Sequence, residues 1–245
     1  MVTRRTFLAG AAAAAVYPAA FGRRPVKIGV CTRDVVGAAK YGFDYVEPAA
    51  AEIAAMGEDQ FREFSDTVFA SPVRCHAVNS FIRRPDLKVV GPEVQTSALK
   101  EYLEGCLPRC RRLGASIVVW GSAGSRNVPE GFSREQAREQ IAAFLMMAGY
   151  VARRSRLIVA IEPLRRQESN ILNTGAEALE MVHRVNHPNI RMIIDYFHLR
   201  EETTTCESLR LGSARSCICT SPIPMAACGR TISWKTITMP HSLIT

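Results

Sequence analysis

From Pro25 onward the chain alternates short apolar runs with longer stretches whose apolar residues recur at helical spacing, and this alternation constrains the fold more than any other feature. Parallel neighbours in a sheet need a crossover between them, and a helix supplies it, so such a pattern builds a parallel sheet from repeated βα units. Strands are predicted at residues 26–31, 44–47, 74–79, 116–120, 157–162 and 190–195, with helices at 35–41, 59–70, 93–113, 133–154 and 176–186. Six strands joined in order give an α/β fold, an incomplete (β/α)8 TIM barrel of about six βα units over residues 25–202. An irregular tail over residues 203–245 follows.

In such a barrel the chemistry sits where strands end, because the loops after the strands form the catalytic face. Those ends carry Glu47, His76 and Asn79, Trp120 and Gly121, Glu162, and Asp195 with His198. Three of them bring carboxylates into a region expected to be apolar, and a buried carboxylate is paired, protonated or metal-bound. His76 reads more readily as a packed histidine than as a ligand, and Glu47 is left unassigned.

The segment Glu162-Pro163-Leu164-Arg165-Arg166-Gln167-Glu168-Ser169-Asn170 is followed one helix later by His187-Pro188-Asn189 and by Asp195-Tyr196-Phe197-His198. Together with the stretch from Val119 to Pro129, this resembles the xylose isomerase-like TIM barrel superfamily, in particular its sugar phosphate isomerase/epimerase group, which includes ketose 3-epimerases and hydroxypyruvate isomerases. The resemblance implies that Glu162 and Asp195 bind a divalent metal (Mn, Mg, Co or Zn), that Glu168 and His198 touch substrate hydroxyls, and that Glu162 takes one side of a proton exchange. A hard cation on carboxylates polarises a carbonyl and its neighbouring hydroxyl and acidifies the C–H between them. The implied substrate is a sugar or keto-sugar. Trp120 is expected to line the barrel beside it, a role for which apolar packing alone is the competing explanation. The competing reading is a non-catalytic periplasmic protein that binds a sugar or a partner on a partial barrel. A zinc-dependent repair endonuclease of the same superfamily needs more His, Asp and Glu ligands and a basic groove that the sequence does not offer.

Residues 1–21 resemble a twin-arginine signal: Thr3-Arg4-Arg5-Thr6-Phe7-Leu8, an Ala-rich apolar stretch to Val16, and small residues at Ala19 and Ala20 for cleavage. The stretch is too short for a lasting membrane span. It implies periplasmic export by the twin-arginine translocase, and a homo-oligomer is compatible with all of this. The net charge of +8 draws on Arg4 and Arg5 and on an excess of basic residues in the tail. What remains is interspersed with acids, which argues against a nucleic-acid partner. Among the eight cysteines no pair has C-x-x-C spacing, and Cys106 and Cys110 are expected to share a helix face as partly buried thiols.

The tail breaks the pattern. It holds 14 Ser/Thr in 43 residues against 16 in the preceding 202, and four of the cysteines. Such a break marks a linker, a disordered tail or a wrong reading frame. Codons built from the last base of one residue and the first two of the next allow His-[Met/Leu]-His from Cys217 through Thr220, and force Gly at Met225/Ala226, Glu at Trp234/Lys235 and Ala at Met239/Pro240. The string resembles the superfamily's seventh strand and the loop after it. The expectation is therefore a frameshift close after Glu201, with a metal-binding histidine and the second catalytic glutamate lost, bare sheet edges, and impaired activity.

Overall fold

The computed structural model describes residues 27–195, 197–198, 217–219 and 235–236. The strands run β1 (Ile28–Val30), β2 (Tyr45–Val46), β3 (Arg74–Cys75), β4 (Ala77–Val78), β5 (Ile117–Trp120), β6 (Ile158–Ile161) and β7 (Ile190–Ile194). All pairings are parallel and sequential, β1 to β2 to β3, then β4 to β5 to β6 to β7. Between them lie α1 (Val35–Lys40), α2 (Ala50–Ala55), α3 (Glu58–Ala70), α4 (Thr96–Arg112), α5 (Ala123–Arg126), α6 (Arg134–Arg154) and α7 (Gly175–Val185). The incomplete (β/α)8 barrel expected from the sequence is the fold observed. Two short helices, α2 and α5, were not anticipated.

Local chemistry sets the helix ends. The Ser133 hydroxyl accepts the Gln136 N–H at 3.3 Å and starts α6. A capping box starts α7: Thr174 Oγ1 accepts the Glu177 N–H while the Glu177 carboxylate accepts the Thr174 N–H. Asn186 stops α7 in the left-handed region at φ 46°, and His187-Pro188 turns the chain into β7.

β3 and β4 are two halves of one strand, broken at His76. Cys75 and Val78 both belong to the large helix-facing core, yet they are three residues apart, where strict alternation would put them on opposite faces. An extra residue at 76–77 therefore acts as a bulge. It returns Asn79 to the barrel side, where its Nδ2 donates to the Glu47 carbonyl at 3.1 Å.

The packing falls into two layers. Helices cover the outside of the sheet with a core that includes Val118, Trp120, Phe144, Val159, Ile161 and Ile194. Inside the barrel sits a smaller cluster of Val119, Ala160 and Ile193 with Ile117 against it. Cys106 and Cys110 do share a face of α4, fully buried rather than partly so, with their sulfurs 3.8 Å apart.

The tail adds to this array where bare edges were expected. β8 (Cys217–Cys219) runs parallel beside β7, and β9 (Lys235–Thr236) runs parallel beside β1. An open edge presents unpaired N–H and C=O groups, and a few extended residues suffice to cap it. The leader at 1–21 and the rest of the tail lie outside the described residues. Among the described residues no helix is long and apolar enough to cross a membrane.

Candidate metal centre

Side chains on a strand alternate between faces, so the residue two beyond an interior residue is interior too. Two beyond Val119, Ala160 and Ile193 come Gly121, Glu162 and Asp195. Alternation alone thus delivers two carboxylates and a gap to the same end of the barrel. The gap is used: a Cβ on Gly121 would stand 2.1 Å from Glu162 Oε2. The Glu162 N–H continues the ladder one residue past β6 by donating to the Trp120 carbonyl at 3.1 Å, and Pro163, lacking an N–H, ends it.

After β7 the chain turns at Asp195. Its Oδ1 accepts the N–H groups of Phe197 at 2.7 Å and His198 at 3.3 Å, which holds these two residues in a turn around the carboxylate. That turn brings His198 back to the carboxylates. One ligand atom each from Glu162, Asp195 and His198 lie within 4.8 Å of one another. His198 Nδ1 also accepts the Arg165 N–H at 3.4 Å, which ties the turn to the loop after β6.

The electrostatics suit a cation. The Glu162 carboxyl is pushed up to about 8, first by burial and then by the nearby charge of Asp195; Arg126 opposes the rise, and Glu47 and Glu168 add smaller increments to it. Like charges held this close are relieved by a positive ion between them, and two carboxylates with an imidazole suit Mn, Mg, Co or Zn. The residues present therefore fit a divalent metal.

The other expected site residues fall as follows. The Glu168 carboxylate pairs with Arg165 Nε at 2.7 Å, and the Arg165 guanidinium lies 4.9 Å from the centre of the Phe197 ring, so Glu168 belongs to the rim of the same loop. Trp120 stands elsewhere than expected. It has no exposed surface and faces the helices, with its ring 5.1 Å from that of Phe144 and under the Arg126 guanidinium. Its place behind the strand follows from parity with Val118, both belonging to the helix-facing core. His76 packs on Tyr45 with ring centres 6.0 Å apart and is not one of the three clustered ligands. Glu47 is buried, with the Cys31 sulfur 3.8 Å from its Oε2.

Two loops are clamped around this centre. Asn170 makes a reciprocal pair with the backbone of Val128, accepting its N–H at 2.8 Å and donating to its carbonyl at 2.9 Å. Ser169 donates to Asn127 Oδ1 at 2.8 Å. The Asn and Ser of the quoted motif thus hold the loop after β6 against the segment after α5.

Comparison with known proteins agrees with this fold. The L-ribulose 3-epimerase of Methylomonas sp. (strain DH-1) is 28% identical over 175 residues, which make up 69% of this chain and 57% of that enzyme. The chain thus spans little more than half the length of that relative. The crystal structure of D-psicose 3-epimerase with D-tagatose from Clostridium cellulolyticum H10 superposes with a TM-score of 0.67 at 19% identity, covering 80% of this chain and 73% of that one. The IOLI protein with a bound zinc atom superposes with a TM-score of 0.58 at 16% identity, covering 79% and 72%. The sequence pattern of the xylose isomerase-like TIM barrel family matches residues 36–216, and the chain belongs to that family.

Proposed function

We propose that the chain carries the site of a divalent-metal-dependent isomerase or epimerase that moves a proton next to the carbonyl of a sugar or small hydroxy-ketone. The observation that carries this reading is the convergence of Glu162, Asp195 and His198 at the tips of adjacent strands. Glu162 and Asp195 would hold the ion, with His198 beside them. The ion supplies Lewis-acid polarisation of a carbonyl and the hydroxyl next to it. Glu162, freed of its proton by the ion it would hold, offers a carboxylate beside the polarised carbon and so suits one side of the exchange. Glu168 and His198, joined through Arg165, orient substrate hydroxyls. The likeness to sugar 3-epimerases supports the same class of substrate.

We further propose that the protein is exported by the twin-arginine route and that the written tail is out of frame, leaving activity impaired. β8 supports the second point, because residues 217–219, which allow His-x-His in the shifted frame, lie beside β7 with Cys219 opposite Ile194, one residue before Asp195. The test compares the chain as written with a frame-restored version. Both are titrated with Mn²⁺ and incubated with ketoses in deuterated water. The reading requires that the restored version bind one ion and wash deuterium into the substrate carbon next to the carbonyl, and that the written chain do so at least about a hundredfold less well. Metal-free binding of a sugar by both versions would favour a non-catalytic binding protein instead.

A further inference from the structure

Arg126 has no solvent-exposed surface, a rare place for an arginine. Among the described residues its guanidinium makes no direct pair with a carboxylate. One terminal nitrogen donates to the Trp120 carbonyl at 3.1 Å and the other to the Glu162 carbonyl at 2.8 Å. These are the last residue of β5 and the first beyond β6, and between them runs the terminal rung of the ladder, from the Glu162 N–H to the same Trp120 carbonyl. The guanidinium plane is supported by the Trp120 ring, 5.3 Å away. Among the described residues Arg126 Nε has no hydrogen-bond partner.

We propose that Arg126 is a positioning residue for Glu162: a buried fork that staples the tips of β5 and β6 through their carbonyls and so fixes where the Glu162 carboxylate stands.

The argument is one of cost. Burying a guanidinium is unfavourable unless charges and acceptors compensate it. The compensation here comes from two carbonyls and from the fields of Glu162 and Glu177, and it is incomplete, since burial pulls the Arg126 guanidinium down to about 10. A core built for stability alone would fill the place with a hydrophobe. What the arginine does that a hydrophobe cannot is bridge two strand ends where the ladder stops: Pro163 offers no further donor, and Gly121 offers no side chain to hold the Glu162 carboxylate. Only a planar, bidentate donor reaches both carbonyls, so lysine is not equivalent.

The proposal rests on the metal role of Glu162, and the test separates the two. The 245-residue protein is compared with Arg126→Lys and Arg126→Met by amide hydrogen exchange and by Mn²⁺ titration followed by electron paramagnetic resonance. Exchange at the Glu162 amide is expected to rise about tenfold or more in both variants, more in Met than in Lys, while the Ile158 amide, bonded to Ser116 within the sheet, keeps its wild-type rate. Mn²⁺ affinity is expected to fall about 10- to 100-fold. An unchanged Glu162 amide, a uniform rise at every amide, or failure of both variants to fold would overturn the proposal and leave Arg126 as scaffold. So would an unchanged Mn²⁺ affinity in variants of a protein that binds it. If the 245-residue protein binds no Mn²⁺, affinities are compared in the frame-restored version, where absence of binding sinks the metal reading by itself, and the exchange data still decide the staple.

Discussion

Gly121 and Glu162 meet across the tips of β5 and β6 with no room for a methyl group between them: a Cβ on Gly121 would lie 2.1 Å from Glu162 Oε2 and 3.3 Å from the Leu164 side chain. Gly121→Ala must therefore swing the carboxylate away from Asp195 or push the strands apart. The far end of a glutamate moves more easily than a strand, so the damage falls on the site. Mn²⁺ affinity should drop about tenfold or more, while the melting temperature changes by no more than a few degrees, about 1 kcal/mol. Equal affinity in the variant would mean that the carboxylate position seen here is not the one that binds metal.

Protons and metal compete for the same oxygens. With the Glu162 carboxyl pushed up to about 8, metal uptake must release a proton below that pH. Apparent Mn²⁺ affinity should fall about tenfold per pH unit from about 8 down to about 5, and proton release should be measurable by calorimetry in buffers of different ionisation enthalpy. Stability follows with a definite sign. The folded carboxyl lies above its ordinary value of 4.5, so the metal-free folded state binds more protons than the unfolded state between about 4.5 and 8. The metal-free protein should lose stability as pH rises through that window, by up to about 1.4 kcal/mol per unit, and saturating metal should remove the loss. A flat profile in denaturant melts would contradict the raised carboxyl.

Trp120 separates packing from recognition. It lies wholly in the helix-facing core, and its Nε1 has no hydrogen-bond partner among the described residues. Trp120→Phe therefore removes volume and sacrifices no hydrogen bond. About 1–3 kcal/mol of stability should be lost in thermal melts. In a frame-restored protein the Michaelis constant for a ketose should stay within about threefold of the parent, a shift of less than 1 kcal/mol. A large rise in that constant with stability intact would put the indole beside the substrate after all.

The strand order and the two carboxylates were legible because period and parity are written into the chain: Ala160 to Glu162 and Ile193 to Asp195 are each one step of two. The side on which Trp120 lies was not legible, because Ile117-Val118-Val119-Trp120 is apolar throughout and a strand buried on both faces has no alternation to read. Helix α2 escaped because no side chain caps its start at Ala49, and α5 because four residues among Gly and Ser carry no periodicity. The burial of Arg126 could not be foreseen, since arginine is a surface residue by default. The motif signalled the residue types at Ser169 and Asn170, but their work, clamping one loop to another more than forty residues away, depends on contacts that sequence distance hides.

Gly149, in the middle of α6, sets helix propensity against packing. Alanine in place of an interior helical glycine ordinarily stabilises by about 1 kcal/mol. Here a Cβ would stand 2.6 Å from His187 Nδ1 and 2.7 Å from its Cγ. That ring is poorly placed to yield, because its Nδ1 accepts the Asn189 N–H at 3.1 Å and its plane meets the Tyr150 ring edge-on at 5.2 Å. Overpacking of this kind costs about 1–3 kcal/mol, which outweighs the propensity gain. Gly149→Ala should therefore lower the melting temperature by a few degrees, about 1 kcal/mol or more. The sign should reverse once the ring is gone: in a His187→Ala background, itself destabilised by loss of the bond to Asn189, the same Gly149→Ala change should stabilise. A double-mutant cycle on thermal melts reads the coupling directly, and a coupling energy near zero would show that the ring, and the turn it leads into β7, adjusts without cost.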